Sequence, residues 1–250
     1  MANEVESKLK RFEIKVLLLQ IRDNPSVRKE EFDSFVSFSK VSPEQMTILN
    51  VFDTPEFTPQ VIDDYDALIV GGASEASVLE PQNYPFVPHC VEMLKYCHQI
   101  GKPVFASCFG FQLAVLALGG SIVRDLKDFE TGSIPITLTK AAASDPIFAD
   151  TPNPFYAVSV HRERAPQLPD NCELLAYTDK CPHAFKVKDA PFWAFQFHPE
   201  VDKAVLVERL GQFKEQYTQN EAHFKEITEN AEETPFSNAL CANFFDLFDN

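Results

Sequence analysis

The sequence holds 250 residues, of which 22 are basic and 37 acidic, for a net charge of −15. Such a chain repels phosphate backbones, and no run of five or more Lys or Arg offers a local exception. Direct nucleic-acid binding is therefore disfavoured, and a small molecule or a protein is the expected partner. Hydrophobic residues make up 45% of the chain, enough for a sizeable core, and eight glycines, about half the usual share, exclude collagen-like and flexible-linker classes.

The apolar material is organised in short pieces. Residues 13–21, EIKVLLLQI, form a nearly continuous Val/Ile/Leu run that suits a buried parallel strand, followed by Asp23-Asn24-Pro25 turn chemistry. A helix is expected over 26–38, where Val27, Phe32, Phe35, Val36 and Phe38 recur at loosely helical spacing. Short strands follow at Met46–Val51 and Ala67–Val70, the second ending at Gly71-Gly72. Val87, Val91, Leu94 and Ile100 share a helical face over 86–100, and Gly101-Lys102-Pro103 stops that helix. Pro103–Ser107 reads as another buried strand, and Phe109–Leu118 as an apolar helix closed by Gly119-Gly120.

The second half changes character. IPITLT at 134–139, ELLAYT at 173–178, AFKV at 184–187 and FWAFQF at 192–197 are short, partly alternating strands of an added, largely antiparallel layer. An amphipathic helix is expected over 204–217, and 219–235 is acidic and weakly apolar, a solvated helix or linker. A last helix, 237–248, carries Leu240, Phe244, Phe245, Leu247 and Phe248. The order predicts one α/β domain over 1–250, its sheet covered by helices on both faces. The longest apolar runs, Val16–Leu19 and Leu113–Leu118, are too short to span a bilayer, and the six cysteines show no CxxC pair, so a soluble, cytoplasmic chain with reduced thiols is expected.

Three segments carry chemistry. In KPVFASCFGFQLAVLALGG, 102–120, Cys108 lies between a buried strand and a helix starting near Phe109. A nucleophile there is presented at the carboxyl edge of the sheet, where the helix N-terminus favours a thiolate and its N–H groups can bind an oxyanion. Gly110 removes a Cβ where a substrate would approach the backbone. The bland alternative is a buried small hydrophobe, as most free cysteines are. In FWAFQFHPEVD, 192–202, Pro199 biases His198 to an extended conformation, which lets Glu200, two residues on, lie on the same side and orient the imidazole. Alone, His198 would read as a capping histidine and Glu200 as a first-turn helix acid; with Cys108 they have the form of a nucleophile, base and orienter. In DALIVGGA, 66–73, Gly71-Gly72 ends a strand and can turn N–H groups toward a ligand, although an ordinary βα turn is the alternative. His89, His98, His183 and His223 are scattered, with no His/Cys/Asp cluster at zinc spacing, and no P-loop or Rossmann glycine pattern is present, so neither metal nor cofactor is expected.

Cys108-Phe109-Gly110-Phe111-Gln112 followed by Leu118-Gly119-Gly120, the Gly71-Gly72 turn, and Gln196-Phe197-His198-Pro199-Glu200 together resemble the class I (triad) glutamine amidotransferases, over about 13–215. The resemblance implies a flavodoxin-like, mostly parallel sheet, with Cys108 as nucleophile, His198 as base and acid, and Glu200 as its orienter. It further implies oxyanion N–H groups from Gly72 and Phe109, and a glutamine-holding role for Gln112. Ser159-Val160-His161-Arg162-Glu163 through Leu168-Pro169 is similar to the family's Ser-His-x-Asp stretch, which gives His161 a place near substrate. The chain departs from the family at Val160, Glu163, Ala106 and Phe111, departures that bear on substrate preference. Two enzyme readings follow from the resemblance. One is a glutaminase, similar to the amidotransferase part of GMP synthase, that gives ammonia to a separate ATP-dependent synthase. The other is a stand-alone γ-glutamyl peptidase or hydrolase. A regulatory, non-catalytic role is a third reading, against which the intact Cys108/His198/Glu200 set argues.

Overall fold

Four strands at the centre of the sheet are buried on every residue because both of their faces are covered. The computed structural model describes residues 10–124, 129–214, 218 and 220–249. Its parallel strands are β1 (Val16–Gln20), β2 (Met46–Asn50), β3 (Ala67–Val70), β4 (Val104–Ser107) and, much later, β11 (Phe192–Phe195). Successive side chains of a strand point to opposite faces, and the core divides accordingly. Leu17, Leu19, Leu68, Val70, Val104 and Ala106 enter one apolar cluster; Val16, Leu18, Ala67, Ile69 and Phe105 enter another.

Helices α2 (Phe86–Ile100) and α3 (Phe109–Ala117) cover the first face. Helix α1 (Pro25–Ser39) and the C-terminal helix, here α6 (Pro235–Asp246), cover the second. Asn24 caps α1 by accepting from the Ser26 N–H at 2.9 Å, and Pro25 occupies the first turn, where its missing N–H costs nothing. Gly101 ends α2 at φ 68°, a left-handed conformation that glycine adopts without Cβ strain.

Three of the antiparallel strands foreseen in the second half are β6 (Glu130–Leu138), β9 (Cys172–Tyr177) and β10 (Pro182–Val187), with β7 (Phe155–His161) beside them; the fourth expected one, 192–197, is instead β11, which pairs in parallel with β4 because its wholly buried FWAF lies inside the sheet. The antiparallel strands continue the parallel ones edge to edge within one nine-stranded sheet, in the order β2-β1-β3-β4-β11-β10-β9-β6-β7. Among the described residues only β5 (Val123–Arg124) and β8 (Glu163–Arg164) lie apart, as a small two-stranded ribbon. Strand β7 has no counterpart among the expected strands, and β6 starts four residues before the expected Ile134.

Helix α4 (Lys203–Gln212) begins at an Asp202 cap that accepts from Val205 N–H at 2.9 Å, and the expected continuation over 215–217 lies outside the described residues. The acidic stretch contains a helix, α5 (Glu221–Glu229), whose Ile227 is buried against β6. No helix of the described residues is long and apolar enough to cross a membrane, and all six cysteines are free.

Candidate active site

The strand order β3-β4-β11 decides where the three motifs meet. These are neighbouring parallel strands, so their carboxyl ends open side by side, about 4.8 Å apart from one strand to the next. Gly71-Gly72 follows β3, Cys108 follows β4, and Gln196-Phe197-His198 follows β11. Residues separated by up to about 90 positions between neighbouring motifs thereby share one edge.

Cys108 stands at φ 50°, ψ −98°, in the sparsely populated left-handed half of backbone space that a non-glycine residue adopts only when its surroundings over-determine it. Its N–H donates to the Phe195 carbonyl at 2.7 Å, which extends the β4–β11 pairing by one rung and pins the elbow. The Gly110 N–H donates to the Gly71 carbonyl at 3.2 Å, tying the first turn of α3 to the glycine turn. A Cβ on Gly110 would lie 2.7 Å from the Val70 carbonyl oxygen, so only glycine permits this approach. Among the described residues neither the Gly72 nor the Phe109 N–H donates to a protein acceptor, so both are free to meet a ligand. The Cys108 sulfur lies 3.8 Å from the Val160 carbonyl oxygen, on the wall opposite.

His198 is fixed from both sides. Its N–H donates to the Val158 carbonyl at 2.8 Å, bridging it to β7, and its Nδ1 sits 2.7 Å from Glu200 Oε1. Both side chains are buried. Burial disfavours the imidazolium, yet the Cys108 sulfur and then the Glu200 carboxylate outweigh it and push His198 up to about 9. For Glu200 burial acts in the opposite sense to its partners: the charge and hydrogen bond of His198, with Arg209, hold the carboxyl down at about 2. Both shifts favour a carboxylate–imidazolium pair beside the cysteine sulfur.

The turn carrying Glu200 is held by the C-terminal helix. Asn238 Nδ2 donates to the carbonyls of Pro199 at 2.8 Å and Val201 at 3.1 Å, and the Thr234 hydroxyl donates to the Val201 carbonyl at 3.3 Å. The glycine turn has a buried support of its own: Arg22 Nε is 2.8 Å from Glu31 Oε1, and Arg22 also donates to Ser74 Oγ at 2.9 Å. Burial raises Glu31 above the ordinary carboxylate value against the pull of Arg22. Sequence reasoning missed Arg22, Glu31 and Asn238, because each is a polar residue whose partners are distant in the chain or set by tertiary packing.

A cavity of about 380 Å³ opens in front of Cys108, at the small end of ligand clefts. Ala73, Tyr84, Gln112, Arg124, Val160 and Glu163 are among its walls. Gln112 Nε2 donates to the Glu163 carbonyl at 3.1 Å, so this side chain braces the wall it lines. Arg124 pairs with Glu163 at 2.7 Å and Glu80 at 2.8 Å, which makes the rim of the cavity an ion-paired network of both signs. His161 also borders the cavity, but its side chain is 1% exposed and its Nε2 lies 3.1 Å from Glu130 Oε2; main chain is what it offers there. His183, scattered from the other histidines in sequence, joins His161, Glu130 and Cys181 in one buried cluster behind that wall. It is the arrangement in this chain that could hold a metal ion among the described residues.

A model of the glutamine amidotransferase class-I family matches residues 40–210. Gamma-glutamyl peptidase 4 of Arabidopsis thaliana is 25% identical over 219 residues, which cover 84% of this chain and 85% of that protein. A glutamine-hydrolyzing GMP synthase subunit of Methanocaldococcus jannaschii is 32% identical over 116 residues, 44% of this chain and 60% of that protein. The solved structure of a glutamine amidotransferase from Thermotoga maritima shares the fold with a TM-score of 0.75 at 17% identity, covering 94% of this chain and 97% of that one.

Proposed function

This chain belongs to the class I glutamine amidotransferase family, and within it we propose that Cys108, His198 and Glu200 form a triad that hydrolyses the side-chain amide of glutamine to glutamate and ammonia. The observation that carries this reading is the strained Cys108 elbow beside a His198 that Glu200 holds at 2.7 Å. The sulfur attacks the amide carbon, and the developing oxyanion is received by the N–H groups of Gly72 and Phe109. His198, cationic in the resting pair, gives its proton to the departing nitrogen, and a γ-glutamyl thioester remains on Cys108. His198 then takes a proton from water, the resulting hydroxide attacks the thioester, and glutamate leaves with the sulfur restored. Glu200 keeps the imidazole in place and stabilises its charge throughout. Ammonia released in this way serves a separate synthase, as the likeness to a GMP synthase subunit supports.

A second reading, hydrolysis of γ-glutamyl peptides, has its own support. The likeness to γ-glutamyl peptidase 4 extends over 219 residues, whereas that to the GMP synthase subunit extends over 116. The triad chemistry is the same, with a peptide amine leaving in place of ammonia. Glutamate release from purified protein, measured with glutamine and with γ-glutamyl dipeptides, separates the two. Glutamine turnover that rises with an ATP-dependent partner supports the amidotransferase, and fast dipeptide cleavage with negligible glutamine turnover supports the peptidase. Cys108→Ala retaining full activity on both substrates removes the triad assignment.

A further inference from the structure

Behind the wall that faces Cys108, four side chains from three strands point at one another. Glu130 opens β6, His161 closes β7, and Cys181 with His183 stands at the start of β10. Glu130 and His161 are direct partners across the β6–β7 ladder, so their side chains lie on the same face. Cys181 lies at the bend just before β10 and His183 is that strand's second residue, so the two enter the cluster from one short stretch of chain. Glu130 Oε2 is 2.8 Å from His183 Nε2, 3.1 Å from His161 Nε2 and 3.7 Å from Cys181 Sγ. The four donor atoms lie within 4.8 Å of one another, and all four residues are buried.

We propose that Glu130, His161, Cys181 and His183 form a closed, four-ligand site for a zinc ion. The donor set carries the identification. Two imidazole nitrogens, one sulfur and one carboxylate oxygen are the ligand types zinc takes, whereas calcium and magnesium demand mostly oxygen. The spacing agrees, because bonds of about 2.0–2.3 Å place the corners of a zinc tetrahedron roughly 3.3–3.7 Å apart. The observed separations, from 2.8 Å to no more than 4.8 Å, bracket that range.

Charge agrees as well. A thiolate and a carboxylate balance a divalent cation, and two neutral imidazoles add none, so the occupied site is a neutral unit in a buried place. Four protein ligands leave no open position, which makes the role structural. Its location gives that role a purpose. His161 directly follows Val160, whose carbonyl is 3.8 Å from the Cys108 sulfur, so an ion on His161 ties the cavity wall to β6 and β10. The site shares no residue with the proposed triad and stands or falls independently of it.

The test uses full-length Cys108→Ala protein, so that the sulfur beside His198 cannot itself take metal. Chelator-stripped protein is titrated with zinc against a competing chromophoric chelator, and with cobalt as a spectroscopic substitute. The expected result is one zinc per chain and a cobalt spectrum with tetrahedral d–d bands and a thiolate-to-metal charge-transfer band. His183→Gln and Cys181→Ser each weaken zinc binding by at least 10-fold, and Cys181→Ser removes the charge-transfer band. Absence of stoichiometric zinc binding in the Cys108→Ala protein, or a cobalt spectrum without thiolate character, overturns the proposal without reference to any variant's folding. Binding unchanged in both His183→Gln and Cys181→Ser also overturns it, and leaves the cluster as a carboxylate hydrogen-bonded by its neighbours.

Discussion

Asn238 donates from one amide nitrogen to the carbonyl of Pro199 at 2.8 Å and to that of Val201 at 3.1 Å, so it grips the backbone on either side of Glu200. The last helix of the chain therefore sets the position of the residue that orients His198. Asn238→Ala strips the Pro199 carbonyl of its side-chain donor and leaves Val201 only the longer Thr234 hydroxyl contact, and stability should fall by about 1–3 kcal/mol. Turnover should fall more than KM rises, since the variant loosens the imidazole and not the cavity. Urea unfolding beside steady-state kinetics checks both.

The His198–Glu200 pair makes a pH prediction. His198 is raised to about 9, so in the proposed mechanism its proton is available to the leaving group below that pH and is lost above it. The acylation rate, read from kcat/KM, should fall as pH rises through about 9. Glu200→Gln removes one of the two partners that raise the imidazole, so this limb should move to lower pH; a limb that stays in place contradicts the assignment.

The same pair contributes to stability with opposite limits. His198 is raised above its ordinary 6.5, so its contribution is complete below 6.5 and lost as pH climbs through about 9. Glu200 is depressed from 4.5, so its contribution is complete above 4.5 and lost as pH falls toward about 2. The difference in unfolding free energy between wild type and Glu200→Gln should therefore be greatest between pH 4.5 and 6.5.

Gly72 and Gly110 are required for different reasons. A Cβ on Gly72 would lie 2.8 Å from His198 Cε1 and 2.8 Å from an Arg22 nitrogen, so Gly72→Ala displaces the imidazole. A shift of about 1 Å at a reacting group costs about 10²-fold in rate, and kcat/KM should drop at least that far. In Gly110→Ala the clash is with the Val70 backbone, so stability should fall by about 1–3 kcal/mol. Gly211 in α4 meets nothing within 4 Å, and Gly211→Ala should stabilise by up to about 1 kcal/mol. Thermal unfolding of the three variants, with kinetics, separates these effects.

Arg22 and Glu31 test the support beneath the glycine turn. Their side chains are 2% and 0% exposed, so Arg22→Met leaves a carboxylate buried without its partner, at a cost of about 3–5 kcal/mol. Replacing both, as Arg22→Met with Glu31→Leu, should recover most of that loss in chemical denaturation.

Much of this molecule can be read from local pattern. Helix α2 runs over the expected 86–100, because Gly101 supplies a left-handed stop and Pro103 cannot continue a helix. Strands β1, β3 and β4 announce themselves through burial on both faces, and the Cys108 elbow through strand and helix meeting without spare residues. Strand β7 is hidden because its buried positions include Ser159 and His161, which interrupt the apolar alternation. The acidic 221–229 helix conceals one buried contact, Ile227 over Gly132, where an absent side chain on β6 makes the room. Glu130, His161 and His183 lie in separate strands, and no spacing rule relates them until the sheet is assembled. Polar partners joined only by tertiary structure leave no periodic trace.

The rung from the Cys108 N–H to the Phe195 carbonyl has a consequence for how such an enzyme can change. Sulfur and imidazole stand on adjacent rails of the same sheet, so their relative placement is inherited from backbone pairing and survives replacement of the surrounding connections. The Ala73–Tyr84 segment and the Arg124–Glu163 ribbon, which line the opening, lie outside those rails. If the proposed triad acts, exchanging these two pieces between relatives should redirect which amide is cleaved while Cys108 and His198 stay in register, a separation of reagent from selector built into the strand order.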